Sequence, residues 1–299
     1  MAAPPLLFDA ARIRAHRDRA ASAGFADFLH ARAAEDLAER LEAVNRAFGA
    51  GLAIGAPGFF AQALAARPAL AARVGPLFQM DLAAALVARG RGVAADSERL
   101  PFAAQSFGLI VSTLALHWTN DLIGALTQAR LALRPDGLFL AALFGGRTLE
   151  ELRACLLEAE LDVRSGAGPR VSPFADAFDI AQALQRAGFA LPVADSDVLT
   201  VRYEHPLRLI ADLRAMGESN ALVARAGKPL TRAILARAIE LYQARYSENG
   251  RVRATFEIVT ATGWAPDESQ QKPLKPGSAK ARLADALGAV EHKLPDKAG

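Results

Sequence analysis

Apolar runs and amphipathic stretches alternate through the middle of the chain. The runs at Gly92–Ala95, Phe107–Leu116 and Gly137–Phe144 predict strands. The second and third are rich in Val, Ile, Leu and Phe, which is typical of strands buried on both faces of a parallel sheet. Between them, Leu122–Leu133 repeats its apolar residues at helical spacing, and Arg134–Gly137 follows with a turn signal. The order strand, helix, strand predicts a right-handed crossover unit.

The same patterns predict further elements on both sides of this unit. A short apolar strand from Gly51 leads through a Gly-rich turn into a helix. A second strand is predicted at Gly75–Asp81, and Asp81 is suited to cap a helix over Leu82–Ala88. The other predicted helices are Phe28–Phe48, Thr148–Val163 with Thr148 as its cap, Asp176–Gly188, Leu207–Met216 and Thr231–Tyr246, and the other strands are Leu191–Tyr203 and Ala254–Gly263. From Pro266 on, Pro, Lys, Gly and Ser dominate, which predicts a poorly ordered tail.

The N-terminal segment Leu6–Ala21 is basic, with arginines at positions 12, 14, 17 and 19. The simpler interpretation is a helix whose charged face is solvated. The other interpretation is an arm that docks over a cofactor or over an acidic partner. Both stay open on the sequence.

Composition narrows the class of protein. The chain has 299 residues, of which 52% are hydrophobic and 22% charged, a balance typical of soluble proteins. The net charge is only +3, and no basic cluster is interleaved with aromatic residues, so nucleic acid is not an expected partner. The single cysteine, Cys155, excludes an internal disulfide and a cysteine-only metal site, and is expected to be a small core residue. No apolar run reaches about 18 residues, so no membrane-spanning segment is expected. A cytoplasmic location is the default expectation. Peripheral contact with a membrane stays open.

Acidic residues follow two of the predicted strands. Asp81 ends one strand and Asp96 directly follows another, and in doubly wound sheets the ligand-binding residues lie just past the carboxyl ends of strands. An acid in this position can accept hydrogen bonds from both hydroxyls of a ribose. The turn from Gly55 to Gly58 offers backbone N–H groups and a helix N-terminus to the same ligand, although such turns are common.

Two further polar features have alternative interpretations. His117 lies just past the end of a predicted strand. One interpretation is that it acts as a base or forms a hydrogen bond with the substrate. The other is that His117 and Trp118 cap the sheet and shape the wall of a pocket. Glu218–Asn220 follows an apolar helix and is either a turn or a set of pocket-facing polar groups.

The motifs resemble a known family over roughly Leu6 to Ala286. The matching segments are Ala95–Phe102, Ser106–Leu122, Leu133–Gly146, Thr148–Arg153, Ser172–Phe174, Arg186–Phe189, Met216–Asn220, Ala254–Thr255 in the strand that ends at Gly263–Trp264, Glu268–Gln270 and Gly277–Ala279. They are similar to class I S-adenosylmethionine (SAM)-dependent methyltransferases of the type 11 group. The closer resemblance is to the respiratory complex I assembly factor 5 family, and the malonyl-carrier-protein methyltransferase of biotin synthesis is a more distant relative.

The resemblance implies an α/β fold with a Rossmann-like, seven-stranded class I methyltransferase sheet and SAM across the carboxyl ends of its first four strands. The implied division is an N-terminal arm (residues 1–27), a methyltransferase-like domain (28–205 and 252–265), a helical lid inserted before the last strand (206–251) and a flexible tail (266–299). Asp81 would hold the ribose, and Asp96 with Ser97 would meet the adenine. The implied cofactor-binding residues are Gly55, Gly58, Asp81, Leu82, Asp96, Ser97, Ser112 and Leu114, of which the last two would face the methionine end and the methyl group. His117 is the candidate catalytic residue, and no metal site is expected.

The function implied by the resemblance is a SAM-dependent methyltransferase acting on a protein side chain or a carrier-bound small acid, with an iron–sulphur subunit of respiratory NADH dehydrogenase as a partner. Members of the family have been assigned arginine hydroxylation on such a subunit. The alternative is therefore a non-methylating assembly factor for complex I, either a hydroxylase or a scaffold that no longer binds SAM. The letters His16-Arg17-Asp18 suit an iron motif, but residues i and i+2 of a helix point apart, so no iron site is predicted.

The Gly-rich loop departs from the family pattern. Ala53 stands where the family has an acid, and Pro57 removes one backbone N–H from the loop. A lost charge-assisted contact costs on the order of 1.5–3 kcal/mol, which is roughly one to two decades in affinity. Weakened SAM binding is the first expectation, and a scaffold role is the second.

Overall fold

The computed structural model describes residues 6–87, 90–164, 166–225, 229–271 and 288. Contacts divide the chain into one unit, Met1–Asp267, and a second unit, Glu268–Gly299. All helices and strands named below belong to the first unit. The predicted tail (266–299) lies mostly outside the described residues.

The first unit contains the α-helices and β-strands of the fold. The helices are α1 (Ala10–Ala23), α2 (Phe28–Glu42), α3 (Gly58–Ala65), α4 (Pro68–Val74), α5 (Leu122–Ala132), α6 (Glu150–Val163), α7 (Ala177–Arg186), α8 (Pro206–Ala215) and α9 (Arg232–Tyr246). The strands are β1 (Gly51–Ile54), β2 (Leu77–Asp81), β3 (Gly92–Ala94), β4 (Phe107–Thr113), β5 (Leu133–Phe144), β6 (Ala190–Tyr203), β7 (Ser247–Glu248) and β8 (Arg251–Trp264). Short polar side chains begin several helices by accepting a hydrogen bond from a first-turn N–H, namely Asp9, Asp121, Asp176 and Thr231.

The strands form one sheet in the order β3-β2-β1-β4-β5-β8-β6. The first five are parallel, and β8 is antiparallel to both β5 and β6. This arrangement confirms the predicted α/β sheet of seven main strands. The two residues of β7 add a small hairpin to β8.

Helices cover both faces of the sheet because successive residues of the central strands point to opposite sides. Leu138 and Leu140 of β5 pack into a core with α2, α6, α8 and α9, whereas Phe139 and Ala141 pack into a second core with α5 and α7. Cys155 is fully buried in the first core, as predicted. Among the described helices, none is long and apolar enough to cross a membrane.

Two helix predictions are wrong at their ends. Helix α2 ends at Glu42 rather than Phe48, because the Arg73 guanidinium donates to the carbonyls of Glu42 and Val44 and draws the chain out of the helix. Thr148 does not cap α6. Its hydroxyl bonds instead with the backbone of Glu257 on β8 at 3.0 Å, and a side-chain contact with a distant strand leaves no local signal.

Two predictions near strand ends are also wrong. Strand β5 begins at Leu133 instead of Gly137, because the residues that signal a turn form a bulge against β4, with Asp136 at a φ of 58°. The predicted helix over Leu82–Ala88 is a 3-10 turn at Ala84–Leu86, and residues 88–89 lie outside the described part.

The buried imidazole of His30 on α2 generates a test of stability against pH. Its ring packs against Phe25 and Phe59, with ring centroids 4.9 and 5.7 Å away, and neither nitrogen has a hydrogen-bond partner among the described residues. Burial first, and then the charge of Arg17, lower the pKa of His30 from 6.5 to about 3, while Glu218 acts in the opposite direction.

The native ring stays neutral at a pH where the ring of the unfolded chain takes up a proton. The contribution of the neutral His30 to the free energy of unfolding is therefore fully present above pH 6.5 and is lost as the pH falls towards 3. We expect the free energy of unfolding to drop by about 2 kcal/mol between pH 7 and pH 5 through this residue, and the drop to be absent in His30→Phe. Urea titrations at the two pH values measure it. His205→Asn, which keeps an acceptor at the start of α8, is the control and should retain the drop; an equal drop in His30→Phe would contradict the assignment.

Candidate functional site

The carboxyl ends of β1, β2 and β3 meet in a crevice. Five of the predicted cofactor-binding residues line it together, namely Gly55, Asp81, Leu82, Asp96 and Ser97. Residues of α1 line its other side, and Trp118 and Asn120 complete it. The topology thus brings these five together as predicted, while their role toward a cofactor stays a prediction.

The carboxylate of Asp81 is buried and fully hydrogen-bonded. Arg17 of α1 donates from Nε to Oδ1 at 3.1 Å and from Nη2 to Oδ2 at 2.8 Å. The backbone N–H groups of Ala56 and Ala83 add one bond each, both at 2.8 Å. The two side chains are only 3% and 1% exposed. The interpretation of α1 as a solvated helix is therefore wrong for the face that carries Arg17.

The Gly-rich loop after β1 is shaped by close packing. Gly55 has a φ of 78°, and a Cβ there would collide with the side chain of Ala115 and the carbonyl of Thr113. Ala53 is 1% exposed and packs in the first core, so the place of the family's acid is filled by an apolar contact. Gly58 lies away from the crevice, beside Phe25 and Phe59.

The predicted residues after β4 are buried rather than open to the crevice. Ser112 is fully buried, and its hydroxyl has no hydrogen-bond partner within the described residues. Leu114 is also fully buried and has a φ of 44°. Ala115, the next residue, is the one that faces the crevice. The assignment of Ser112 and Leu114 to the methionine end stays a prediction.

Glu218 organises the polar residues beside the crevice. Its Oε2 accepts from Trp118 Nε1 at 2.9 Å and contacts His117 Nε2 at 3.0 Å. Its Oε1 lies 3.7 Å from Nη1 of Arg17, and neither atom has a hydrogen-bond partner in the described part of the chain. Arg17 therefore lies between two buried carboxylates, Asp81 and Glu218.

The charge state of Glu218 follows from this environment. Burial is the largest influence and acts to raise the pKa, but the charge and hydrogen bond of His117 and the charge of Arg17 outweigh it, so the pKa of Glu218 lies below its ordinary value. Glu218 is thus ionised at neutral pH. The His117 side chain, 2% exposed, contacts Glu218 and the rings of Phe144 and Phe174. Its role as a catalytic residue stays a prediction.

A second cavity, of about 270 Å³, lies beyond Trp118, which lines both spaces. Its apolar walls include Phe144, Leu152, Leu156, Phe174, Leu213 and Phe256. Glu218 lines it as a buried carboxylate, and Arg170, Arg214 and Arg225 are its cationic side chains. Arg170 is paired with the buried Glu160, with Nη2 to Oε1 at 2.5 Å. We call this space the apolar cavity.

Sequence reasoning missed two contacts that close the crevice. Asn120 Oδ1 accepts from the N–H groups of Leu7 and Phe8, at 2.7 and 2.8 Å. Phe8 also pairs with Leu222. The sequence offered one signal for these contacts, namely the polar residues of the two motifs Trp118–Asn120 and Glu218–Asn220. They lie outside the predicted helices and strands, so they were available for contacts with distant segments.

The chemistry of the crevice fits SAM, but its free space does not. Two acids and a glycine at strand ends suit a nucleoside, because they offer acceptors for ribose hydroxyls and close backbone approach. The free volume is about 40 Å³, since α1 fills the crevice. No three of the described His, Cys, Asp and Glu residues are grouped so that they could hold a metal ion.

Comparison with known proteins identifies the family. Residues 52–141 match the family model described as a methyltransferase domain. The chain is 43% identical over 194 residues to the mitochondrial arginine-hydroxylase NDUFAF5 of Danio rerio, covering 64% of this chain and 60% of that protein. It is 37% identical over 278 residues to the Homo sapiens protein of the same name, covering 90% and 79%. Malonyl-[acyl-carrier protein] O-methyltransferase of Methylovorus sp. is 34% identical over 310 aligned positions, covering 98% of each chain.

Solved structures agree on the fold. A methyltransferase structure from Bacillus halodurans C-125 matches with a TM-score of 0.52 at 17% identity, covering 78% of this chain and 99% of that one. YcgJ of Bacillus subtilis matches with a TM-score of 0.52 at 15% identity, covering 77% and 98%. These matches confirm the predicted Rossmann-like class I methyltransferase fold. The match to a methyltransferase domain also confirms the predicted cofactor, because domains of this type bind SAM. The chain belongs to the NDUFAF5 family of methyltransferase-domain proteins.

Proposed function

We propose that this protein is a SAM-dependent enzyme that modifies a cationic side chain, an arginine, of a protein partner during assembly of respiratory NADH dehydrogenase. The observation that carries the proposal is the buried carboxylate of Glu218 in the wall of the apolar cavity, next to the crevice. Similarity to proteins named arginine-hydroxylase NDUFAF5 supports the choice of side chain. The partner, an iron–sulphur subunit, is the one that the family resemblance of the sequence implies.

The charge of Glu218 favours a cation over an acid beside this residue, whereas Arg214 and Arg225 are cations that also line the cavity. Glu218 is ionised and 4% exposed, and a buried carboxylate attracts a guanidinium through paired, charge-assisted hydrogen bonds. Arg170 is neutralised by Glu160, so it offers little to an entering acid. A carrier-bound small acid, the substrate class of the malonyl relative, would meet the Glu218 charge at the inner wall. The structure itself holds one guanidinium, that of Arg17, near Glu218.

The chain's own residues would align the acceptor and exclude water. Trp118, Phe144 and Phe174 form apolar walls around the cavity, and Glu218 would orient the guanidinium. Asp81, Asp96 and Gly55 would hold the cofactor, which supplies a methyl group bound to a sulfonium. Alignment supplies most of the rate enhancement in a transfer of this kind. A guanidinium must lose a proton before its nitrogen can attack. His117, the base predicted from the sequence, contacts Glu218 and would have to be neutral to accept that proton.

Hydroxylation of the arginine is the second candidate. It inserts an oxygen atom into a C–H bond, so it needs molecular oxygen and a two-electron reductant as further reactants. It is favoured by the name that the relatives carry. The absence of the family's acid at Ala53 favours instead a scaffold that no longer binds SAM. Mass spectrometry of the partner subunit distinguishes the two, because one reaction adds a methyl group and the other an oxygen atom. An unmodified subunit that is nevertheless retained by the protein would indicate a scaffold. A cytoplasmic location and peripheral membrane contact stay predictions.

Replacing Glu218 by Gln tests the acceptor site. The change keeps size and removes the charge, so modification of the arginine should fall by about 10- to 100-fold, which corresponds to the loss of one charge-assisted contact. Turnover of the iron–sulphur subunit with SAM, read by mass spectrometry, measures it. Glu240→Gln, the same change at an exposed position on α9, should leave turnover unchanged. Equal turnover in Glu218→Gln would exclude Glu218 from the acceptor site.

Replacing Asp96 by Ala tests the cofactor site. Asp96 lines the crevice, and its Oδ1 accepts from the N–H of Glu98 at 2.9 Å. We expect about 10-fold weaker binding of S-adenosylhomocysteine, measured by calorimetry, since one hydrogen bond to the adenine edge is lost. Asp162→Ala, at a surface ion pair with Arg237, is the matched control. Unchanged affinity in Asp96→Ala would show that the nucleoside lies elsewhere.

A further inference from the structure

The segment from Leu7 to the end of α1 is held over the crevice at several points. Leu7 and Phe8 bind Asn120, and the N–H of Asp9 donates to the Ala221 carbonyl at 2.9 Å. Phe8 packs edge-on to Trp118, with ring centroids 5.2 Å apart. These contacts attach the segment to the wall between the crevice and the apolar cavity.

Gly217 allows α1 to lie close to that wall. Its φ is 80°, and a Cβ there would come within 3.2 Å of the Arg17 Cα. The close approach brings the Arg17 side chain over the end of β2, where it takes two of the four hydrogen bonds of Asp81. The other two come from backbone N–H groups of the protein.

The acceptor predicted for the ribose is therefore already occupied. A carboxylate offers about four acceptor positions, and all four on Asp81 are used within the chain. Ribose hydroxyls can bind Asp81 only if the Arg17 guanidinium leaves. The free volume of about 40 Å³ is also far below the roughly 300–1,000 Å³ of clefts that bind drug-sized ligands.

Arg17 has a second carboxylate within reach. Its Nη1 is 3.7 Å from Glu218 Oε1, on the side of the apolar cavity. A guanidinium released from Asp81 can stay paired with Glu218 or leave the crevice with α1. In both cases, binding of a ligand in the crevice changes the surroundings of Glu218, which also lines the apolar cavity.

We propose that α1 is a closing element for the crevice and that Arg17 is its latch, so that the adenosyl cofactor binds only after Arg17 has left Asp81. The inference rests on the proposed cofactor site, and it adds that cofactor affinity is set by competition with a side chain of the same protein. Removal of the competitor should strengthen binding, which is the opposite of the effect expected for a residue that contacts the cofactor.

The test is calorimetric titration of S-adenosylhomocysteine into the wild-type chain and into its variants Arg17→Ala and Arg14→Ala. Arg14 is exposed on the same helix and controls for the loss of one positive charge. Arg17→Ala should bind at least about 10-fold more tightly than wild type, because one charge-assisted pair no longer has to be broken, and Arg14→Ala should match wild type. Equal or weaker binding in Arg17→Ala overturns the inference alone, whereas no binding in any of the three proteins overturns it together with the proposed cofactor site.

Limited trypsin digestion of the wild type gives an independent readout that needs no folded variant. Arg12, Arg14 and Arg19 lie on α1, where the closed helix resists cleavage. Saturating S-adenosylhomocysteine should speed cleavage at these arginines several-fold and leave cleavage at Arg237 and Arg245 of α9 unchanged. Slower or unchanged cleavage in α1 at saturation would show that the helix does not move to admit the cofactor.

Discussion

The buried ion pair between Arg17 and Asp81 is the interaction on which this part of the molecule depends. It joins the N-terminal helix to the end of a central strand, and the same carboxylate accepts from the loop after β1 at Ala56. Breaking such a pair by removing one partner costs about 3–5 kcal/mol, because the other charge stays buried. The helix, the loop and the strand end are therefore held in one arrangement by a single carboxylate, at the position where a nucleoside is expected to bind.

Two sequence motifs extend this arrangement to the neighbouring cavity. The residues around Trp118 and Asn120 contact the arm on one side, and Glu218 contacts Trp118 on the other. Gly217 provides the close approach that brings α1 within reach. The family motifs around Trp118 and Glu218 thus form the wall between the crevice and the apolar cavity, and Trp118 lines both spaces. Glu218 binds Trp118 across 100 residues, and Asn120 accepts from backbone N–H groups more than 110 residues away, at Leu7 and Phe8.

Much of the fold follows from local pattern. Apolar runs such as Phe107–Thr113 are buried on both faces of the sheet. The helix between this run and the next predicts that the two strands are parallel, as they are. Asp81 and Asp96 could be named as site residues because strand ends converge in this topology. Errors fall where a contact with a distant residue ends or redirects an element, as the Arg73 side chain does at the end of α2 and the Glu257 backbone does at Thr148.

The sequence by itself determined the α/β class, the position of most helices and strands and the acidic residues at the strand ends, since hydrophobic periodicity and short connections act locally. The order of the strands in the sheet was given by the tertiary structure. Tertiary structure alone decided that Arg17 pairs with Asp81, that Ser112 is buried, and that Glu218 faces a cavity. These facts depend on partners separated by 64 residues in the case of Arg17 and 100 in the case of Trp118 and Glu218. No periodicity encodes such a pairing, because it arises only when the packed sheet and helices bring two charges into a space from which water is excluded.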